Sequence, residues 1–216
     1  MFVTFEGIEG SGKSTQAELL GEALREMGLE ATLSREPGGS ELGRHLRRIL
    51  LDANTTELTD EAELFLYLAD RAQHVAQMIS PALERGAIVI VDRYVDSTLA
   101  YQGFGKGVHP DLIPELNRIA SQGVLPELTF LLDLEPELGL RRARSRNAEL
   151  GKEQGEGRFE ARELAFHQRV REGYLRLADK EPRRIVRLDA NRSRQHLQAE
   201  ILHIAREKLS ERQGRP

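Results

Sequence analysis

The sequence predicts an α/β fold: a five-stranded parallel sheet with helices on both faces, in three layers. Three observations predict it. Short apolar runs alternate with helical patterns along the chain, as strand–helix–strand units with right-handed crossovers require. Ala87-Ile88-Val89-Ile90-Val91 and Leu128-Thr129-Phe130-Leu131-Leu132 are nearly unbroken apolar runs, the pattern of strands buried on both faces. The first run, Phe2-Val3-Thr4-Phe5, leads into a glycine-rich turn and a helix start. With 216 residues, the chain is long enough for one such domain and one or two insertions, and residues 1–216 are read as a single domain.

The elements follow in order. A helix is expected from about Lys13 to Met27, with Ala17, Leu20 and Leu24 on its apolar face, ending near Gly28. Glu30 to Ser34 reads as a short strand. Arg35-Glu36-Pro37-Gly38-Gly39 is a loop, and Ser40 is an N-cap for a helix to about Leu51. Asp52 to Thr56 is a polar turn. Thr59 to about Arg85 reads as one long helix, kinked at Pro81. The run Ala87 to Val91 is a strand ending at Asp92, Leu128 to Asp133 another, and Arg184 to Leu188 a weaker one, before a last helix from about Arg194 to Glu211. No internal repeat is present. Asn147 to Gly157, rich in Gly, Glu and Lys, reads as a mobile loop within a lid insertion at about 141–158.

Within the first turn, Gly7, Gly12, Lys13 and Ser14 fit G-x-x-x-x-G-K-[ST], the phosphate-binding loop. Glycines let the backbone approach phosphate oxygens, and the loop aims N–H groups at an anion from a helix N-terminus. Lys13 is placed to reach β/γ-phosphates and the Ser14 hydroxyl to ligate Mg²⁺. The motif and the strand–helix alternation together point to the P-loop NTPase fold, in which ligands bind at the carboxyl ends of the strands. Asp92 ends a strand there and suits Mg²⁺, directly or through water. Arg93 beside it suits a second phosphate. Arg47 and Arg71 fall in segments bordering the same cleft, so an anionic acceptor is expected.

Other signals leave alternatives open. Arg141, Arg142, Arg144 and Arg146, with Arg158 beyond the loop, form either a solvated helix face or a closing lid whose arginine neutralises a transferred phosphoryl group. Tyr67, Tyr94, Tyr101 and Phe104 serve either core packing or stacking on a base. The histidines have no metal-ligand spacing. The net charge of −4 argues against a nucleic-acid polymer as partner. Without cysteine, disulfides and thiol chemistry are excluded. No signal peptide and no membrane-length apolar run are read, so no membrane partner and a cytoplasmic location are expected.

Four stretches carry a resemblance: Phe5 to Thr15, Arg35-Glu36-Pro37-Gly38-Gly39, Ala69-Asp70-Arg71-Ala72-Gln73-His74, and Asp92 to Gly103. Gly173-Tyr174-Leu175 and Leu188-Asp189-Ala190 extend it. In order and spacing they resemble the bacterial thymidylate kinases, over nearly the whole chain. The resemblance implies γ-phosphoryl transfer from ATP to dTMP with Mg²⁺, and a homodimer. It implies that Gly7, Ile8, Glu9, Gly10, Ser11, Gly12, Lys13, Ser14 and Thr15 hold the ATP phosphates. Arg141, Asn191 and Arg192 complete the ATP site, the latter two over the adenine. It places Glu9 near the sugar of dTMP, Arg93 and Arg47 on the acceptor phosphate, Arg71 on the thymine edge, and Pro37, Ser97, Thr98 and Gln102 around the nucleotide. Tyr101 crowds the sugar 2′ position. Tyr67 stands where the family has Phe on the base. One class of the family carries Arg in the phosphate loop; this chain has Gly10 and Ser11 there and resembles the class with a catalytic lid arginine. Arg144, Arg146 and Arg158 are the candidates.

Overall fold

The computed structural model describes residues 1–52, 54–55, 57–149, 158–159 and 162–213. Among them, β1 (Phe2–Glu6), β2 (Ala31–Arg35), β3 (Ile88–Asp92), β4 (Leu128–Asp133) and β5 (Ile185–Asp189) form one parallel sheet in the order β2-β3-β1-β4-β5. β1 is central: Thr4 lies opposite Val91 of β3 and Thr129 of β4. Successive side chains of a strand point to opposite faces, and here both faces are covered. Phe2, Val89 and Val91 pack in one core cluster, and Val3, Phe5, Ile88 and Ile90 in another. That is why these strands lack polar alternation. The two threonines that interrupt the runs satisfy each other, Thr4 Oγ1 to Thr129 Oγ1 at 2.7 Å.

The helices are α1 (Lys13–Glu26), α2 (Glu41–Leu51), α3 (Asp60–His74), α4 (Ser80–Glu84), α5 (Val95–Thr98), α6 (Ile113–Ala120), α7 (Pro136–Glu149), α8 (Leu164–Lys180) and α9 (Arg194–Gln213). Leu20 and Leu24 of α1 and Leu197 and Ile201 of α9 pack in the cluster of Val3 and Phe5. Ser40 caps α2 as expected, accepting from the Gly43 N–H at 2.9 Å. Thr59 caps α3 through the Ala62 N–H at 3.2 Å.

The single helix expected from Thr59 to Arg85 is interrupted. A π-helical turn, Val75–Ile79, separates α3 from α4. Pro81 has no N–H, and its ring crowds the carbonyl four residues back; the wider turn just before it accommodates this without ending the helix. A second π-helical segment, Leu99–Gly105, continues α5. The basic run Arg141 to Arg146 is helical, as are Asn147 to Glu149, so α7 takes in the start of the expected loop. The remainder of that loop, 150–157, lies outside the described residues.

At the start of β5, Arg184 joins the sheet to α5. It meets both oxygens of the buried Asp96 at 2.7 and 2.9 Å, and also donates to Thr129 Oγ1 and Glu181. Removing one member of such a pair leaves a buried charge uncompensated. Arg184→Met is therefore expected to cost about 3 kcal/mol of stability, read as a shift of the urea midpoint.

Candidate active site

The carboxyl ends of β1, β2 and β3 open into a cleft of about 460 Å³, a size suited to a small-molecule ligand. At its floor is the phosphate loop. Gly7 takes φ 139° and Gly10 φ 71°, conformations that cost side-chain-bearing residues dearly. Space forbids a side chain too: a Cβ on Gly7 would lie 2.5 Å from the Leu132 carbonyl oxygen, and one on Gly10 2.1 Å from that of Gly139. Lys13 opens α1 and its Nζ donates to the Ile8 carbonyl at 2.8 Å. Burial and the neighbouring Arg93 lower its pKa to about 8.

The Ser14 hydroxyl donates to Asp92 Oδ2. The other Asp92 oxygen, Oδ1, is buried without a hydrogen-bond partner. An orphaned carboxylate oxygen beside a hydroxyl suits a hard divalent cation such as Mg²⁺, which takes oxygen ligands and keeps several waters or phosphate oxygens. Among the described residues no cluster of three or more His, Cys, Asp or Glu could cage a metal. The residues therefore fit a cation shared with a nucleotide, not a protein-enclosed one.

Arg93 follows β3 with φ 70°. Its guanidinium donates to the Gly7 carbonyl (3.0 Å), Glu9 Oε1 (3.1 Å) and the Tyr101 hydroxyl (3.1 Å), and lies over the Tyr101 ring at 4.9 Å. Tyr101 donates its own hydroxyl to Glu9 Oε1 at 2.5 Å. Burial pushes the Glu9 carboxyl up, but His167, Arg93 and Lys13 outweigh it and hold it well below the usual range. His167 is buried, with Nε2 3.0 Å from the Phe159 carbonyl oxygen and Nδ1 3.3 Å from Glu9 Oε2. The carbonyl only accepts, so Nε2 carries a proton.

Arg71 is fully buried. Its guanidinium meets Glu36 Oε2, Thr98 Oγ1, Asn117 Oδ1 and the Tyr94 carbonyl, all within 3.0 Å. Glu36 also accepts from or pairs with His74 Nδ1 at 2.9 Å. Arg71 is thus held on a rigid mount at the wall of the cleft, its N–H groups shared among these acceptors, and its side chain braces α3 against α5 and α6. Beside it, Gln102 Nε2 donates to Glu63 Oε1 at 2.8 Å.

Of the residues expected at the site, Glu9, Gly10, Gly12, Lys13, Ser14, Thr15, Pro37, Arg47, Tyr67, Arg71, Asp92, Arg93, Ser97, Thr98, Tyr101, Gln102 and Arg146 all line this one cleft. Gly7, Ile8 and Ser11 frame the loop beneath it. Arg141, Arg144, Asn191 and Arg192 do not line it. Asn191 accepts from Arg142 at 3.4 Å and Arg192 pairs with Glu200 at 3.0 Å. Arg158 turns elsewhere: it donates to the Leu50 carbonyl at 3.1 Å and stands 2.6 Å from Glu63 Oε2. Arg35, Glu36 and Phe159 also line the cleft and were not expected there. Arg35 had a legible signal, its position at a strand's carboxyl end; Phe159 and the His167 brace had none.

A phosphate loop after the first of five parallel strands, a carboxylate and arginine after the third, and a second polar pocket in the same cleft define a P-loop nucleotide-binding enzyme. The family model described as thymidylate kinase matches residues 5–201. A thymidylate kinase of Solidesulfovibrio magneticus is 58% identical over 190 residues, 88% of this chain and 91% of that protein. One of Oleidesulfovibrio alaskensis is 60% identical over 188 residues, covering 86% and 89%. The crystal structure of thymidylate kinase from Ehrlichia chaffeensis superposes with a TM-score of 0.75 at 33% identity, covering 95% of this chain and 98% of that one. The chain belongs to the thymidylate kinase family.

The buried Lys13 charge carries a stability cost. Its folded pKa of about 8 lies below the ordinary 10.5, so the cost is fully present below pH 8 and fades as pH rises toward 10.5. Lys13→Met is expected to abolish phosphoryl transfer. It is also expected to stabilise the nucleotide-free protein at pH 7 by on the order of 1–3 kcal/mol, a gain that shrinks above pH 8 in denaturation measured across pH.

Proposed function

We infer that this chain is an ATP-dependent phosphotransferase that converts dTMP to dTDP. The observation that carries the reading is convergence: Lys13, Ser14, Asp92 and Arg93 share a cleft with Tyr67, Arg71, Thr98 and Gln102. A phosphate-handling end and a base-handling end face one space. ATP phosphates lie on the loop from Gly7 to Thr15, and dTMP runs from Arg93 and Arg47 to Arg71 and Gln102. Ser14 and Asp92 would hold a Mg²⁺ ion together with the ATP phosphates, and it would supply charge neutralisation at the transferred group. Arg93, tethered by Glu9 and Tyr101, orients the acceptor phosphate. Lys13 offsets charge as it moves toward the leaving oxygen. Such alignment supplies much of the acceleration in this chemistry.

For the lid arginine, the geometry favours Arg146, which lines the cleft, over Arg144 and Arg158, which do not. Arg146→Ala is expected to lower kcat on the order of 10³-fold, and Arg158→Ala less than tenfold. The reverse order would reassign the role. For the acceptor, ADP release is measured with ATP, Mg²⁺ and dTMP, dUMP, dCMP, AMP or water. Strong dependence on dTMP is expected, and equal release in water alone would overturn the kinase reading.

We propose a homodimer formed through exposed apolar side chains on three adjacent helices: Leu42 and Ile49 of α2, Phe65 of α3, and Ile119 of α6, with Leu112 just before it. A second copy covering this face removes it from water. Phe65→Glu is expected to shift the protein to a monomer in light scattering at micromolar concentration. No described helix is long and apolar enough to cross a membrane, and we assign the reaction to the cytoplasm, with the nucleotides it uses.

A further inference from the structure

Gln102 lines the cleft on the π-helical segment after α5 and is almost fully buried. A buried primary amide has two different ends, and which one faces a ligand is a chemical choice its neighbours make. Here the neighbour is Glu63. Its side chain has no exposed surface, and it is flanked by two cations: Lys106 Nζ is 2.8 Å from Oε1 and Arg158 Nη1 is 2.6 Å from Oε2. Paired in this way, Glu63 is a carboxylate that only accepts hydrogen bonds. It therefore holds the Gln102 NH₂, at 2.8 Å, and the amide carbonyl is the end left for the cleft.

We propose that Glu63 is a positioning residue for base selection: by fixing the orientation of the Gln102 amide it makes that side chain an acceptor toward the substrate. This rests on the reading of Gln102 as a base contact. Arg71, donor-only, lies on the same wall of the cleft. Donors beside an acceptor complement the edge of a 4-oxo pyrimidine, whose carbonyl accepts and whose N3–H donates. Cytosine inverts both features: its N3 accepts and its exocyclic amino group donates. Against it, the Gln102 carbonyl would meet the N3 lone pair and Arg71 would meet an amino group. A buried polar group left mismatched in this way discriminates more strongly than a missing apolar contact. Gln102 alone would not do this, because a free amide could turn over and offer its NH₂ to cytosine. The specificity lies in the carboxylate behind it.

The test is kcat/KM for dTMP and dCMP in Glu63→Gln. An amide at position 63 both donates and accepts, so Gln102 is released to turn. The ratio of dCMP to dTMP activity is expected to rise about tenfold or more, whereas general loosening would lower both substrates together and leave the ratio fixed. Because Glu63→Gln also removes the carboxylate facing Arg158 and leaves Lys106 only Asp60, Glu63→Gln/Lys106→Met is measured alongside, each variant checked for a cooperative thermal transition. A ratio unchanged in the folded variants overturns the proposal. Gln102→Ala separates the two levels. If it leaves the KM for dTMP unchanged, Gln102 is not a base contact and the reading beneath the proposal fails. If it raises that KM while Glu63→Gln leaves the ratio fixed, only the role of Glu63 fails.

Discussion

A guanidinium largely withdrawn from water needs acceptors around it, and the architecture of the cleft depends on how Arg93 meets that need. Its backbone adopts a left-handed conformation that a residue with a Cβ takes only at a cost of about 1–2 kcal/mol. The backbone is held there by its N–H, which donates to the Phe5 carbonyl at 3.0 Å, and by the side chain. The Gly7 carbonyl, Glu9, Ser97, Tyr101 and Tyr174 all converge on that one group. The phosphate loop, α5, the segment after it and α8 are thereby registered against the end of β3 at one point. A neutral side chain there would remove the common partner of five groups from four parts of the chain.

The same logic runs through the second polar centre. Glu6, at the end of β1, accepts from the Tyr94 N–H and from the hydroxyls of Ser97 and Tyr174. Burial, and then the nearby Asp96, raise its pKa to about 7. The interior of the site is thus built from charges that are tolerable only together. Pairs of this kind contribute little net stability compared with apolar packing, but they set geometry closely, because each hydrogen bond has a direction.

What could be read in the sequence divides along this line. The phosphate loop was legible because each of its residues answers to a local backbone demand: Gly7 and Gly10 to conformation and close approach, Lys13 and Ser14 to the helix start. The strands were legible because both sheet faces are buried, so Ile88 to Val91 had to be apolar throughout. The π-helical turns were not, since the hydrophobic period shifts by only one residue, and Pro81 alone suggested a kink instead of a wider turn. Side-chain partnerships over long sequence separations were invisible too. Nothing local marks Arg158 for Glu63, 95 positions earlier, or His167 for Glu9. The three candidate lid arginines, Arg144 and Arg146 before the loop and Arg158 after it, looked equivalent in sequence and differ in what they face: Arg146 lines the cleft, and Arg158 meets Glu63.

The close approach of Gly10 to Gly139 has an evolutionary consequence. Read as sequence alone, an arginine in the phosphate loop at position 10 is a single substitution away from this chain. Here that step is closed. Any side chain at position 10 runs into the backbone of α7, and the adjacent Ser11 is itself buried. Moving the positive charge from lid to loop would require α7 to be repacked first, and that change alone brings no benefit. The two arrangements are separated by an epistatic valley, with the backbone of one helix as its wall.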